Sequence, residues 1–328
     1  YSAAENRYEC GMQYRRAGRS GVMLPAISLG LWHNFGDVDT LSLSRKKLHY
    51  AFDHGITHFD LANNYGPSYG SAEETFGQIM KSSFAPYRDE LFISTKAGHD
   101  MWPGPYGNWG SRKHLMASLD QSLKRMNLDY VDVFYSHRYD PETPLEETLQ
   151  ALVDIVRKGK ALYVGLSKYP LDAYLFASRY LKERDVPCLL YQGRYSMLVR
   201  EPESQGILNA VKENGSGFVA FSPLAQGLLT NRYLNGIPDN SRIARGGFLK
   251  KEALTPEVLS KIQALNERAA MRGQSLAEMA LAWLLKNETV TSVIVGASSV
   301  EQLGDSLKTL NHLSFEEEEL HAIEKILM

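Results

Sequence analysis

Cysteine is scarce in this 328-residue chain, which contains only Cys10 and Cys188. Two cysteines without a metal-type spacing exclude a disulfide framework and a cysteine-based zinc site, and they favour a reducing compartment such as the cytoplasm. Basic and acidic residues nearly balance, 36 against 38, so no charge excess predicts binding to nucleic acid or an anionic membrane. The apolar runs are too short for a transmembrane helix, so no membrane-spanning segment is expected.

Two glycine-rich motifs that bind nucleotides are also missing. The turn ISLGLWHNFG follows the first apolar segment but does not match the GxGxxG pattern of a doubly wound dinucleotide-binding sheet. No phosphate-binding P-loop is present either. The first residues, YSAAENRYECG, lack the basic and apolar segments of a signal peptide, although a start at Tyr rather than Met leaves a removed leader open.

Short apolar segments alternate with longer amphipathic ones along the chain. The apolar segments predict strands at Ala26–Leu29, Thr57–Phe59, Leu91–Ser94, Val131–Tyr135, Ala161–Val164, Cys188–Tyr191, Phe218–Phe221 and Val293–Val295. The amphipathic segments predict helices at Ser44–His54, Ser71–Lys81, Ser111–Met126, Leu145–Lys158, Leu171–Glu183, Pro202–Asn214, Leu276–Lys286 and Val300–Leu310. This alternation predicts an α/β fold, a single (β/α)8 TIM barrel over residues 1–328, rather than an open doubly wound sheet.

Three further segments lie outside the alternation. The stretch QYRRAGRSGVMLP precedes the first strand and predicts a β-hairpin that closes the bottom of the barrel. The glycine-rich stretch Thr230–Pro256 follows the seventh strand and predicts a long loop, a feature that is usually functional or mobile. The acidic run FEEEEL near the C-terminus is interpreted as a solvated helix face.

Titratable side chains follow three successive predicted strands. Asp60 ends the second strand with Tyr65 on the loop after it, Lys96 follows the third strand, and His137 follows the fourth. Considered singly, each of these side chains could simply lie on the surface or contribute to packing. Because the carboxyl ends of parallel barrel strands meet on one face, the four side chains are expected to converge there.

This combination of groups suits proton transfer to a carbonyl oxygen. A phenol such as Tyr65 loses its proton near pH 10, so an adjacent Lys96 is expected to lower its pKa, and Asp60 to keep the lysine charged. An imidazole such as His137 can orient the carbonyl by a hydrogen bond. The chemistry indicated is protonation of a carbonyl oxygen while hydride reaches its carbon. A metal site is not predicted, because His33, Asp37 and Asp39 match no familiar ligand spacing.

The later strand ends suit a hydride-carrying cofactor. Ser167 and Gln192 offer hydrogen bonds to an amide, and Phe221 could stack on a nicotinamide ring or simply belong to the core. The segment GASSVEQL places Gly and Ser residues at a helix N-terminus, which either binds phosphate or only caps the helix. Arg232 and Arg242, in the long loop, could reach a second phosphate or be solvated.

The motifs FDLANNYG, STKAG, YSHR, YVGLS, FSPLAQGLLTNRY and VIVGASSVEQL occur in this order and resemble the aldo-keto reductase superfamily over nearly the whole chain. The resemblance implies a (β/α)8 barrel that binds NADPH, and a tetrad of Asp60, Tyr65, Lys96 and His137 with Tyr65 as proton donor. The closest likeness is to the branch that contains voltage-gated potassium channel β-subunits and bacterial L-glyceraldehyde 3-phosphate reductases. LGLWHNFG and AGHDMWPGPYG resemble the bacterial reductases in particular.

The resemblance also implies the cofactor contacts, from the nicotinamide to the adenosine. Nicotinamide contacts are implied for Trp32, Asp60, Ser167, Lys168, Gln192 and Phe221. Contacts in the pyrophosphate region are implied for Ser222, Pro223, Leu224, Gln226, Gly227, Arg232 and Arg242. Adenosine contacts are implied for Gly296, Ser298, Gln302, Asp305 and Ser306, of which the last two depart from the more usual Glu-Asn pair.

Two functions of different classes follow from the resemblance. One is NADPH-dependent reduction of small aldehydes such as L-glyceraldehyde 3-phosphate and methylglyoxal, in a pocket formed by Trp32, Tyr65, Trp102 and His137. The other is a cofactor-sensing regulatory subunit like the channel β-subunits. His137 favours the enzyme, because the channel subunits carry Asn at that position. The branch further implies a homo-oligomer, either a tetramer or an octamer.

Overall fold

The computed structural model describes residues 1–237, 243–244 and 249–328. Eight parallel strands close into a barrel, so the predicted α/β barrel is confirmed. In chain order the barrel strands are β3 (Ile27–Gly30), β4 (His58–Asp60), β5 (Phe92–Ala97), β6 (Val131–Ser136), β7 (Ala161–Ser167), β8 (Cys188–Arg194), β9 (Gly217–Phe221) and β10 (Val290–Val295). Each pairs with its neighbours in sequence, and β10 closes the ring between β9 and β3.

The helices of the described chain surround this barrel. They are α1 (Leu41–Asp53), α2 (Ser71–Ile79), α3 (Arg112–Met126), α4 (Leu145–Arg157), α5 (Leu171–Lys182), α6 (Glu201–Ser204), α7 (Ile207–Asn214), α8 (Pro256–Met271), α9 (Leu276–Leu285), α10 (Val300–Leu307) and α11 (Glu317–Leu327). Among the residues described, none of these helices is both long and apolar enough to cross a bilayer.

Two helix predictions differ from the structure. The predicted helix Pro202–Asn214 is divided into α6 and α7, because Gly206 between them has a left-handed φ of 78°. Helix α8 was not predicted, although Thr255 caps it by accepting a hydrogen bond from the backbone N–H of Val258. Helix α11 carries the acidic run, as expected, and begins with a capping box.

An N-terminal hairpin closes the amino ends of the strands. Its strands are β1 (Tyr14–Arg16) and β2 (Met23–Pro25), which pair antiparallel. Ala17 and Leu24 are fully buried in an apolar cluster with residues of four barrel strands, namely Val133, Tyr135, Leu190, Val219 and Ile294. At Gly18 a Cβ atom would lie 2.0 Å from the carbonyl oxygen of Gly215, so only glycine allows this close approach.

Alternation along the strands decides which side chains face the barrel interior. On β4, Phe59 packs outward against Phe76 of α2, with ring centroids 5.9 Å apart, which leaves Asp60 on the opposite face. On β5, Thr95 points outward and donates a 2.5 Å hydrogen bond to Glu73 of α2, which leaves Lys96 on the inner face. The helix layer therefore fixes the inward direction of the two charged residues.

Candidate active site

Lys96 lies between a carboxylate and a phenol at the carboxyl ends of the strands. Its Nζ atom is 2.6 Å from Asp60 Oδ2, 2.6 Å from the carbonyl oxygen of Leu61 and 3.2 Å from the hydroxyl oxygen of Tyr65. Three acceptors match the three hydrogens of an ammonium group. Only 1% of the Lys96 side chain is exposed, so its charge is compensated by Asp60 rather than by water.

The loop that carries Tyr65 is fixed to the neighbouring strand. The backbone N–H of Leu61 donates to the carbonyl of Ser94, and that of Asn63 donates to the carbonyl of Lys96, both at 2.9 Å. These bonds extend the β4–β5 pairing beyond Asp60, which brings the tyrosine over the lysine. On its other side, the Tyr65 ring stacks with the ring of Trp32 at a centroid distance of 5.9 Å.

The pKa of Tyr65 corrects one expectation from the sequence. Burial raises the pKa of the phenol above its ordinary value, and although the adjacent Lys96 lowers it, burial outweighs the lysine. For Lys96 itself, burial lowers the pKa, but Asp60 and Tyr65 together raise it above that of a free lysine. At neutral pH the site therefore holds a protonated phenol beside a permanent ammonium.

His137 completes the group of four as a neutral imidazole. Burial, followed by the charges of Lys96 and Lys168, holds its pKa well below the usual value. Its ring lies edge-on to that of Tyr65 at a centroid distance of 6.1 Å, and its backbone N–H donates to the carbonyl of Ala97. The buried Nδ1 atom makes no hydrogen bond to any described residue.

A buried chain of polar side chains, which sequence reasoning missed, leads from the barrel interior to Asp60. Ser94 donates to Asp60 Oδ1 at 2.8 Å, so its oxygen accepts from His58 Nε2 at 3.0 Å. His58 Nδ1 then accepts from Ser28 at 2.8 Å, and Ser28 lies 2.6 Å from Ser292. Burial lowers the pKa of His58 to about 4, which keeps it neutral and fixes this donor order.

Several predicted nicotinamide contacts lie at or near the carboxyl ends of three adjacent strands. Ser167 and Gln192 are buried register partners on β7 and β8, and Gln192 Nε2 donates to Asp60 Oδ1 at 3.0 Å. Phe221 ends β9, is partly exposed and packs on the interior apolar cluster. Lys168 directly follows Ser167 in a left-handed conformation with φ 57°. Gln192 therefore contacts the group formed by Asp60, Tyr65, Lys96 and His137 directly, and its register partner Ser167 lies on the adjacent strand.

The segment after β9 is conformationally unusual. Ser222, Ala225, Gln226 and Gly227 all have φ between 49° and 99°. Successive backbone N–H groups in such conformations form concavities that bind anions. Pro223 is buried and Leu224 is partly buried within this turn, while Arg232 is exposed beyond it. Arg242 lies outside the described residues.

Hydrogen bonds from its own and neighbouring side chains fix the segment after β10. Ser299 caps α10, and the Gln302 side-chain oxygen accepts from the backbone N–H and hydroxyl of Ser298 at 2.7 and 2.9 Å. The neighbouring Ala297 carbonyl accepts from Nζ of Lys47 at 3.1 Å. Of the remaining predicted adenosine contacts, Gly296 precedes this bend, Asp305 pairs with Lys308 on the surface, and Ser306 donates to the Gln302 carbonyl.

The aromatic residues of the predicted substrate pocket occupy two places. Trp32 lies against Tyr65, as described above. Trp102 packs on His114 of α3, with ring centroids 4.9 Å apart. A role for Trp102 in the pocket stays a prediction.

Comparison with known proteins agrees with this geometry. A family model described as the aldo/keto reductase family matches residues 26–328. The chain belongs to this family. Two Escherichia coli proteins named L-glyceraldehyde 3-phosphate reductase are 57% (O157:H7) and 56% (K12) identical over 319 residues, 96% of the chain and 92% of each reductase. An Arabidopsis thaliana protein named probable voltage-gated potassium channel subunit beta is 36% identical over 306 residues, 92% of each chain.

Aldo/keto reductases use nicotinamide cofactors, and two features of this aldo/keto reductase fit such a group. Four of the six residues Ser222–Gly227 have positive φ, a backbone geometry of the kind that forms anion-binding concavities. Within this segment, the buried side-chain oxygen of Gln226 has no described hydrogen-bond partner, which leaves an acceptor for a ligand. In the described ranges no cluster of three His, Cys, Asp or Glu residues is arranged to bind a metal ion.

Proposed function

We propose that the chain reduces small aldehydes to alcohols with NADPH, and that L-glyceraldehyde 3-phosphate and methylglyoxal are among its substrates. The observation that carries the proposal is the 3.2 Å contact between the Tyr65 hydroxyl and Lys96 Nζ, with Asp60 2.6 Å from the same nitrogen. The phosphorylated substrate is supported by the 57% identity to a protein named for it.

In this proposal Tyr65 is the proton donor. When bound, NADPH supplies a hydride from C4 of its nicotinamide ring to the carbonyl carbon. Tyr65 donates its hydroxyl proton to the carbonyl oxygen as that oxygen gains negative charge. Lys96, held by Asp60, stabilises the phenolate that remains. One hydride and one proton are added across the C=O bond, and the product is the alcohol.

His137 orients the carbonyl group. Its neutral ring, next to Tyr65, donates a hydrogen bond to the carbonyl oxygen without adding a second positive charge beside Lys96. The oxygen is thereby held where the phenol can reach it. Trp32, stacked on Tyr65, and Trp102 form the walls of the substrate pocket in this proposal.

The cofactor contacts proposed are those expected from the sequence, apart from Lys168, whose Nζ atom bonds His99 instead. Ser167 and Gln192 hold the nicotinamide amide, and Phe221 stacks on the ring. The pyrophosphate region is bound by Ser222, Pro223, Leu224, Gln226, Gly227 and Arg232, and the adenosine is bound by Gly296, Ser298, Gln302, Asp305 and Ser306. NADPH rather than NADH is proposed on the family resemblance. Comparing the dissociation constants of the two cofactors by fluorescence titration tests this choice.

The test of the function is NADPH oxidation at 340 nm with a panel of short aldehydes. The proposal expects turnover of glyceraldehyde 3-phosphate, glyceraldehyde and methylglyoxal. Cofactor binding without turnover of any aldehyde would instead support a regulatory subunit, the class of the relative that is 36% identical. A homo-oligomer, a tetramer or an octamer, is proposed as well, and light scattering coupled to size-exclusion chromatography measures it.

A further inference from the structure

Three basic side chains border the imidazole of His137. The ring of His99 meets the His137 ring edge-on, with centroids 4.4 Å apart. Nζ of Lys168 lies 3.1 Å from Nε2 of His99, and Arg138 directly follows His137. Because these residues come from the segments after β5, β6 and β7, they meet on the rim of the barrel beside the proton donor.

The charged side chains of this cluster form hydrogen bonds with uncharged groups. Arg138 donates from Nε to the carbonyl of Gly98 at 2.8 Å and from Nη2 to Oδ1 of Asn108 at 2.7 Å. Its guanidinium also lies 3.5 Å from the ring centroid of Trp109. In the described part of the chain, neither Arg138 nor Lys168 forms an ion pair with a carboxylate. The guanidinium is thus fixed in place without a carboxylate in direct contact among the described residues.

The nearest carboxylates are engaged elsewhere or exposed. Asp140 accepts hydrogen bonds from the backbone N–H groups of Gly110 and Glu142 and from the hydroxyl of Thr143. Asp100 is exposed to solvent on the loop after β5. Both attract Arg138 at longer range, but neither forms an ion pair with it among the described residues, which leaves room for an anion from solution.

Like charges add to desolvation at Lys168, which is exposed on the rim. Desolvation, followed by the charges of Lys96 and Arg138, lowers its pKa to about 8. Burial, followed by Lys168, lowers the pKa of His99 to about 4, so His99 is neutral and accepts a hydrogen bond from the lysine. A bound anion would relieve the repulsion among these groups.

We propose that Lys168, Arg138 and His99 form a cradle for the phosphate group of a phosphorylated aldehyde. The inference rests on the proposed function and adds to it the residues that select the substrate. In glyceraldehyde 3-phosphate the phosphate is separated from the carbonyl carbon by two carbons and one ester oxygen. A carbonyl at Tyr65 and His137 therefore places the phosphate near the adjoining rim, where a fixed guanidinium and an ammonium can both bind it.

A neighbouring cleft supplies the matched control. A cavity of about 270 Å³ lies beside the cradle and is lined by Lys168, Arg194, Glu201, Gln205 and six other residues. Arg194 is exposed and carries the same charge on the same face of the barrel. Replacing it by glutamine removes one positive charge without touching the three cradle residues, so it separates local binding from a general electrostatic effect.

The experiment compares Lys168→Gln with Arg194→Gln on glyceraldehyde 3-phosphate and on glyceraldehyde. The Lys168→Gln variant loses one charged hydrogen bond to the phosphate. Its kcat/KM for the phosphorylated aldehyde should therefore be about 10-fold lower than that of the parent, because KM rises while kcat is unchanged. Activity on glyceraldehyde and the dissociation constant of NADPH should stay within about threefold, and Arg194→Gln should behave like the parent. Arg138→Lys, which keeps the charge but loses the planar fork, should also weaken the phosphorylated substrate selectively.

Calorimetric titration of glycerol 3-phosphate into the NADP+-loaded protein provides a readout that needs no turnover. We expect this binding to weaken about 10-fold in Lys168→Gln. If the parent reduces no aldehyde but this weakening is observed, the proposed reductase function fails and the cradle stands. Equal losses for both aldehydes, a parallel loss of NADPH affinity, or an equal effect of Arg194→Gln would each overturn the cradle.

Discussion

Nζ of Lys96 lies 3.2 Å from the hydroxyl oxygen of Tyr65, although the two residues belong to different strand ends and are 31 positions apart. The same nitrogen lies 2.6 Å from Asp60, so a single ammonium group links a carboxylate to a phenol. Because the phenol is protonated at neutral pH and the ammonium is permanent, the pair can release a proton and stabilise the resulting anion. The first two predictions test these roles separately.

Replacing Tyr65 by Phe removes only the hydroxyl group. We expect kcat for aldehyde reduction to fall by about 10²- to 10⁴-fold, the usual contribution of a general acid. The dissociation constant of NADPH should change by no more than a few-fold, because the ring and its contact with Trp32 are retained. Stopped-flow reduction and fluorescence titration measure the two quantities, and equal losses in both would argue against proton donation.

Replacing Lys96 by Met should abolish reduction and also destabilise the fold. The buried carboxylate of Asp60 would lose its partner, at a cost of about 3–5 kcal/mol in the free energy of unfolding. The double variant Lys96→Met with Asp60→Asn should recover much of that stability but none of the activity. Urea denaturation and kcat measurements distinguish the two effects, and an active single variant would remove the lysine from the mechanism.

Replacing Ser94 by Ala removes the hydroxyl that orients Asp60. We expect kcat to fall by about 10-fold with KM nearly unchanged, because the substrate does not touch Ser94. Ser118 on α3 is an apt control, since its hydroxyl is equally buried but has no described hydrogen-bond partner. Ser118→Ala should leave kcat unaltered. If Ser94→Ala lowers the free energy of unfolding but leaves kcat unchanged, the polar chain stabilises the fold and does not contribute to catalysis.

Replacing Lys47 by Met should loosen the segment after β10. Lys47 is fully buried, and its Nζ atom lies 2.5 Å from Asp39 and 3.1 Å from the Ala297 carbonyl. Loss of one partner of a buried pair should cost about 3 kcal/mol in the free energy of unfolding. The exposed pair Lys160–Asp120 gives the comparison, where Lys160→Met should cost less than about 1 kcal/mol. If Lys47→Met and Lys160→Met lower the free energy of unfolding by similar amounts, the buried contacts of Lys47 do not stabilise the segment as proposed.

The preference for phosphorylated substrate should decline above about pH 8. Below its pKa of about 8 Lys168 is an ammonium, and above it the charge is lost, whereas an ordinary lysine would stay charged beyond pH 10. His99 is already neutral and Lys96 and Arg138 remain charged in this range. The substrate phosphate titrates lower, near pH 6.

The measurement is the ratio of kcat/KM for glyceraldehyde 3-phosphate to that for glyceraldehyde between about pH 7 and 10. In the parent the ratio should fall with an apparent pKa of about 8. In Lys168→Gln it should be flat. A ratio that stays constant up to pH 10 in the parent would exclude Lys168 from phosphate binding.

The barrel could be predicted from the sequence because its signals are local. Apolar segments alternate with amphipathic ones, and polar side chains follow the strands, which was sufficient to place Asp60, Tyr65, Lys96 and His137 on one face. Helix α8 was missed because it follows a glycine-rich stretch that was assigned to a loop. The two-part form of α6 and α7 depends on the conformation of Gly206, which composition alone does not indicate.

The features that could not be predicted depend on pairings distant in sequence. His58 bonds Ser28 and Ser94, which are 30 and 36 residues away, and Lys47 contacts Ala297 across 250 residues. The pKa of Tyr65 was expected to be low because Lys96 is visible in the motif, but burial, which outweighs the lysine, is a property of the fold. The contact between Lys168 and His99 likewise joins two loops that no motif relates.

The hairpin formed by β1 and β2 buries Ala17 and Leu24 among the interior residues. It therefore limits the direction from which a ligand can reach the barrel interior. Because the hairpin covers the amino ends of the strands, Tyr65 is approached from their carboxyl ends in the described part of the chain. We therefore expect a ligand bound across the loops at the carboxyl ends to block substrate entry and product release alike.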